Sequence, residues 1–319
     1  MKLLDLVIVF VLITFSIHFA TEMRTNHLEQ LVSKKIEMNH ILDTAVEDGV
    51  SALVEKSEGT GLRIQKERGV ETFYRSLFLN FGITEDPHAK AKIKGYIPVI
   101  AIIDYDGIYL YSQETFSDAE GYAQLESVWQ PKVTYTHAQN QYLYGFTLDD
   151  WVTVFDTTNG LFYEGKQGDL KEQIPATLLQ DEVVFDEVRR RTITETLQNE
   201  INEGINHHNE VAKQYGITYQ FLLPVIEDED WSQCVDDLGM IAFFQGMPLG
   251  QSNEHYNDFA LGGAQLYKKV PLFVQTNASS GLNYYHRQDC SLLTDKSKRF
   301  NKPKDCALTG AFPCASCKP

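Results

Sequence analysis

The chain is short of cysteine, of cations and of catalytic motifs. Five cysteines in 319 residues cannot build a disulfide scaffold. Lysine and arginine total 28 against 44 acids, a formal net charge of −16. That balance speaks against a nucleic-acid binder, whose phosphate contacts need clustered cations. No serine elbow, zincin helix, Cys–His nucleophile pair or internal repeat occurs, so no catalytic residue is assigned. Gly160 to Lys166 has the spacing of a phosphate loop. Gln167 stands where a magnesium-holding hydroxyl belongs, and bulky Leu-Phe-Tyr-Glu fills the turn, so nucleotide binding is not expected there. No proline precedes Pro87, and nothing interrupts a long helix at the amino end.

What is present begins with an apolar run. From Leu6 to Ala20 only Thr14, Ser16 and His18 interrupt it. At about 1.5 Å per residue, Leu3 to Met23 just spans a bilayer core. Residues 1–23 therefore read as an uncleaved single-pass transmembrane anchor, with membrane lipid around residues 3–23. A cleaved signal peptide would need a basic start and an Ala-x-Ala site, and neither is evident. A core helix would not be so uniformly apolar. Lys2 lies on one side and Arg24, Lys34 and Lys35 on the other, so charge does not decide the orientation. The body is expected on the extracytoplasmic side of the cell membrane, because a lone amino-terminal anchor usually exports the remainder of its chain.

Residues 24–58 read as an amphipathic stalk helix. Leu28, Leu31, Val32, Ile36, Ile41, Leu42, Ala45 and Val46 recur three and four apart. This stripe packs either on the chain's own body or on other subunits, as in self-association. Residues 59–275 read as an α+β body. Ile97 to Ile103 and Ile108 to Tyr111 form a hairpin about Asp106-Gly107, and the Asp104/Asp106 pair reads as turn chemistry rather than a cation site. Tyr135 to Tyr163 supplies further strands, Asp181 to Tyr215 a second long helix, and Ile217 to Pro224 a strand. Arg189-Arg190-Arg191 and His207-His208 read as solvated surface on that helix. Glu227 to Asp230 suits the start of a short helix carrying Trp231, and Cys234 reads as a lone buried thiol. Gln245 to Gly263 reads as a loop with exposed Tyr256 and Phe259, where a ligand is conceivable.

The most specific signal lies at the carboxyl end. His286 and Cys290 are separated by three residues, Cys314 and Cys317 by two. Two short-spaced pairs across a loop are how a small segment assembles a tetrahedral shell for zinc. His286, Cys290, Cys314 and Cys317 are the candidate metal ligands. Disulfides from Cys290 to Cys314 or Cys317, with Cys306 as a further candidate, stay open for an exported body.

Residues 282–319 resemble the metal-binding domain of the bacterial Ada alkyl-transfer protein. The resemblance is carried by an aromatic before the first ligand, the x-x-x spacing, Phe300, Cys306-Ala307 and Gly310-Ala-Phe-Pro-Cys-x-x-Cys-Lys-Pro. It implies a small zinc module. It does not carry repair chemistry over, because His286 stands where that family has its methyl-accepting cysteine. A closed four-ligand site also leaves no position for a catalytic water, so a structural clip is implied. His208-Asn209-Glu210, Tyr215-Gly216-Ile217, Phe221, Pro224, Trp231, Phe244-Gln245-Gly246 and Gly262-Gly263 resemble membrane-anchored proteins of Gram-positive bacteria loosely linked to pilus or secretion machinery. The sequence thus predicts a non-enzymatic, membrane-anchored component of a bacterial surface, pilus-like or secretion assembly. A tethered ligand-binding or sensing module is the alternative, and a nucleic-acid-processing accessory protein the third reading.

Overall fold

Helix α1 is a single element in the computed structural model, running from Leu3 to Leu53, 51 residues long. The structure describes residues 3–317 except 58–60, 118, 122, 215–216, 218, 227–230, 232–234, 251–253, 264–271, 278–280, 288–289, 301–302 and 316. The side chains of residues 3–9, 12, 55–57, 61–63 and 303–305 are also outside the description. The side chains of most of the expected anchor's leading half are therefore outside the description, and the expected helix start at Glu227 to Asp230 and Cys234 lie outside the described residues. Among the described residues no helix is long and apolar enough to cross a membrane.

Burial divides α1 into two stretches. Phe10, Phe15, Phe19, Leu28, Val32 and Ile36 are exposed, each by half or more. From Met38 onward Leu42, Ala45, Val46, Val50 and Leu53 are buried in the main core. The expected stalk ends five residues early, because Val54–Ser57 (β1) turns into a hairpin with Gly61–Ile64 (β2). The last turns of α1 cross helix α2 (Lys66–Asn80) at very close range. A Cβ on Gly69 would meet Leu53 at 2.3 Å, and one on Gly49 would meet Met240 at 3.0 Å. Gly49, a weak helix former, thus lies where α1 packs closely on Met240 and the Gly69 backbone.

Helix α3 (Pro87–Lys94) comes next, capped by Asp86. Strands β3 (Val99–Asp104), β4 (Gly107–Ser117), β5 (Ala123–Trp129), β6 (Val133–Gln139), β7 (Tyr142–Phe146), β8 (Trp151–Asp156) and β9 (Leu161–Lys166) then join β10 (Gly239–Pro248) and β11 (His255–Gly263). They form a curled antiparallel sheet in the order β11-β10-β3-β4-β6-β7-β8-β9, with β5 also on β4. The curl arises at β4, which leaves β6 after Ile108 and takes β5 from Tyr111. Short helices α4 (Gln167–Leu170) and α5 (Thr177–Gln180) lead to α6 (Glu182–Gln214). Strand β3 is buried along its length because both its faces are covered. Ile100 and Ile102 join the core with α1 and α2. Val99 meets α6, where a Cβ on Gly204 would lie 3.3 Å from it.

The Asp104 to Gly107 turn closes the β3–β4 hairpin as expected. Its cation is internal: the Lys132 ammonium sits between the Asp104 and Asp106 carboxylates. Four other expectations are corrected. Arg189 is buried at 2% side-chain exposure, not solvated. It donates to the Thr147, Leu148 and Val235 carbonyls at 3.3, 3.0 and 3.1 Å and to Asp186 and Asp236 at 2.7 and 3.1 Å. A guanidinium can be buried because five donors satisfy carbonyls and carboxylates together. His208 is buried, and only His207 is at the surface, paired with Glu114 at 2.8 Å. The described part of Ile217 to Pro224 is no strand. Gln245 to Gly263 is mostly the β10–β11 hairpin rather than a loop, and Tyr256 is fully buried, donating to Asn39 at 2.8 Å.

Residues 265–319 form a second compact unit. Its sheet runs β14 (Arg299–Phe300), β12 (Leu272–Thr276), β13 (Asn283–Arg287), β15 (Phe312–Pro313), beside helix α7 (Pro303–Leu308). β12 was expected to belong to the body, yet it pairs with β13 along its length. Leu272, Val274, Tyr285, Cys306 and Ala311 make the small core of this unit.

Candidate metal centre

Among the described residues the core cluster of this 55-residue unit is small. Beside it stand the four donors the sequence singles out. Strand β13 carries His286, and Cys290 lies just beyond it in a turn closed by its N–H to the Arg287 carbonyl at 3.1 Å. β15 pairs with β13 in parallel, Tyr284 beside Phe312 and Tyr285 beside Pro313. The next residue on each strand is then His286 and Cys314, so the register sets the two ligand pairs abreast. The Cys314 N–H donates to the Tyr285 carbonyl at 3.1 Å and fixes the second turn, which carries Cys317. Alternation along β13 sends Tyr285 to the small core and His286 to the opposite side.

One donor atom from each of His286, Cys290, Cys314 and Cys317 lies within 4.8 Å of all the others. His286 Nδ1 is 3.3 Å from Cys290 Sγ. A tetrahedral shell with bonds of about 2.0–2.3 Å has edges of roughly 3.5–3.8 Å, so every donor pair lies within about 1 Å of that spacing or closer. The first three residues are buried and Cys317 is half-buried. Burial pushes the Cys317 thiol up to about 11; neighbouring Cys290 and Cys314 add to the rise, and the Arg287 backbone opposes it. Burial lowers the His286 imidazole, favouring the neutral form that ligates. Three crowded thiols and a neutral imidazole suit a cation that stabilises the thiolates together. The cluster could hold a metal ion. No disulfide joins the four described cysteines, and Cys306 sits in the small core.

A second constellation is not visible in the sequence pattern alone. Two buried side-chain amides hold the chain after α6. Asn209 Nδ2 donates to the Phe221 carbonyl and the Phe221 N–H donates to Asn209 Oδ1, both at 2.8 Å. Gln245 Nε2 donates to the Leu222 carbonyl at 2.6 Å, and the Leu222 N–H donates to Gln245 Oε1 at 3.0 Å. Each amide replaces the backbone partners a strand would supply. Beside them His208 meets the Phe221 ring edge-on at 4.6 Å between centroids. Burial pulls His208 down to about 4, against a smaller opposing influence from the Gly95 backbone. Helix position is the available signal: Phe185, Arg189, Ile193, Leu197, Ile201, Ile205, His208 and Ala212 succeed one another at three or four residues and are all buried.

Compared with known protein families, curated proteins and solved structures, the chain matches none.

Proposed function

We propose that this protein is a membrane-tethered, non-enzymatic component of a bacterial surface, pilus-like or secretion assembly, with a structural zinc ion in its C-terminal unit. One observation supports the tether reading: α1 is continuous, its described apolar side chains Phe10, Phe15 and Phe19 are exposed, and it is built into the core from Met38. In sequence, Leu3 to Met23 has the length of a bilayer span, and Leu6 to Ala20 within it is interrupted only by Thr14, Ser16 and His18. Leu28, Val32 and Ile36 succeed one another at i and i+4, exposed by 53, 58 and 64%. Such a stripe suits packing on a second copy of the helix rather than the chain's own body.

Zinc is favoured among metals by three thiolates and one imidazole. Bound there, it would supply charge and cross-linking; His286, Cys290, Cys314 and Cys317 would hold it. Four protein ligands leave no position for substrate.

Two measurements test the reading. Full-length protein should sediment with membranes after carbonate washing, and deletion of residues 3–23 should release it. Cysteine introduced by Val32→Cys should cross-link between copies in the membrane, and Glu37→Cys should do so less. Release of the full chain by carbonate overturns the tether; no preference for Val32→Cys overturns the self-association.

A further inference from the structure

Charge in this chain is segregated. Residues 265–319 hold nine of the 28 lysines and arginines but only three of the 44 acids. The C-terminal unit therefore carries a formal charge of +6 and the remainder −22, which the net value of −16 conceals. Five of the nine cations, Lys296, Lys298, Arg299, Lys302 and Lys304, fall within nine residues that contain no acid. A block of like charge repels itself and suits a partner of opposite sign.

The fold gives the described part of this run a definite face. Gln275 on β12 pins the stretch that leads into it. Its side-chain amide donates to the Leu292 carbonyl at 2.6 Å and accepts the Thr294 and Asp295 N–H groups at 2.8 and 3.2 Å. Arg299 pairs with Phe273, two residues from Gln275 and so on the same face of the sheet. Tyr284 lies beside Gln275 and Phe312 beside Tyr284, which extends that face across β13 to β15. Leu292 and Phe312 are each 54% exposed there, and Lys296, Lys298 and Arg299 are exposed with them. The one acid in the stretch, Asp295, is engaged by the Ser297 N–H and hydroxyl at 2.9 and 3.0 Å. Exposed apolar side chains among cations suit a lipid headgroup layer, where the apolar groups enter the acyl boundary and the cations meet anionic headgroups. A single-stranded nucleic acid would use the cations and the rings, but it offers Leu292 nothing comparable.

We propose that this face of the C-terminal unit binds the surface of an anionic lipid bilayer, with Leu292 and Phe312 in the headgroup layer and Lys296, Lys298 and Arg299 on lipid phosphates. The proposal needs the unit folded. It rests neither on the tether nor on which metal holds the unit.

The test uses the metal-loaded full chain with vesicles of phosphatidylcholine, or of phosphatidylcholine and phosphatidylglycerol in equal parts. The vesicles carry brominated acyl chains. Leu292→Trp reports contact as quenching beyond that of the three native tryptophans in the unsubstituted chain. That quenching is expected to be at least about fivefold greater with the anionic lipid, roughly the factor contributed by each cation near such a surface. It should fall to the neutral-lipid level in about 1 M salt and when Lys296→Gln and Lys298→Gln are added. In the unsubstituted chain, hydrogen exchange over residues 291–299 should slow with anionic vesicles and not with neutral ones. If carbonate releases the full chain and the tether reading fails, the same comparison is made with vesicles added to the soluble protein, so the two readings fail separately. Equal quenching in the two lipids overturns the proposal, as does quenching that survives salt or the double substitution. Slowed exchange over residues 291–299 that needs no lipid also overturns it, the outcome expected if the acidic body of this chain is the partner. So does a stronger slowing by a single-stranded oligonucleotide than by the anionic vesicles.

Discussion

Arg189 Nη2 meets Asp236 Oδ1 at 3.1 Å, tying the first turns of α6 to the segment that enters β10. Arg190 reaches the same carboxylate with its own guanidinium. Burial pushes the Asp186 carboxyl up, but the Arg189 and Arg190 guanidiniums outweigh it and hold it below the usual range. Arg189→Met would strand three carbonyls and parts of two carboxylates. It should destabilise the body by about 3–5 kcal/mol, as for one partner removed from a buried pair. Arg191, which is exposed, should tolerate Ala within about 0.5 kcal/mol. Urea denaturation of the two variants checks the contrast.

The metal centre yields a modular prediction. His286→Ala or Cys317→Ser should unfold residues 265–319 and leave the body folded, since the two units have separate cores. Hydrogen exchange would show protection lost from β12 and β13 and kept in β3 and β10. Purified protein should carry about one zinc per chain, and chelation should reproduce the variants. Loss of protection in β3 as well would end the modular view.

His208 sets a pH dependence of known sign. Its folded value, about 4, lies below the ordinary value of 6.5. Between those values the unfolded chain binds the extra proton, so stability rises with pH there and is complete above about 6.5. Acidification from about pH 6.5 to 4 should cost on the order of 3 kcal/mol from this group. His208→Phe should remove that part of the slope. Differential denaturation of the two proteins across the window measures it, and identical slopes would refute the assignment.

Gly246 gives a backbone prediction. Its φ is +82°, and a Cβ there would lie 2.8 Å from the Tyr219 ring. Gly246→Ala should cost about 1–3 kcal/mol from strain and crowding. Tyr219 fluorescence or exchange in residues 219–222 should report the loosening, with β3 unchanged.

The legible parts of this sequence share one property: their pattern repeats over a short interval. Helix α6 is legible nearly to its ends because apolar residues return every three or four positions. The four metal donors stand out because each pair lies within five residues, whatever the fold between them. Arg189 and His208 mislead because their residue types suggest solvent while their helix positions fall on the buried stripe. Ile217 to Pro224 has the composition of a strand, but Asn209 and Gln245 take the place of neighbouring strands. Glycine and asparagine crowd Gln245 to Gly263 and give Tyr256 and Phe259 the surroundings of a loop, although most of that stretch is paired. Pairing with distant segments is not written in local composition.

The continuity of α1 has a mechanical consequence. With no proline and only Gly49 near its far end, the helix is a rod of roughly 75 Å at the usual rise. Its last four turns are part of the interior. Torque or tension applied at the amino end has no flexible joint in which to dissipate before Met38, and reaches the hydrophobic centre of the body directly.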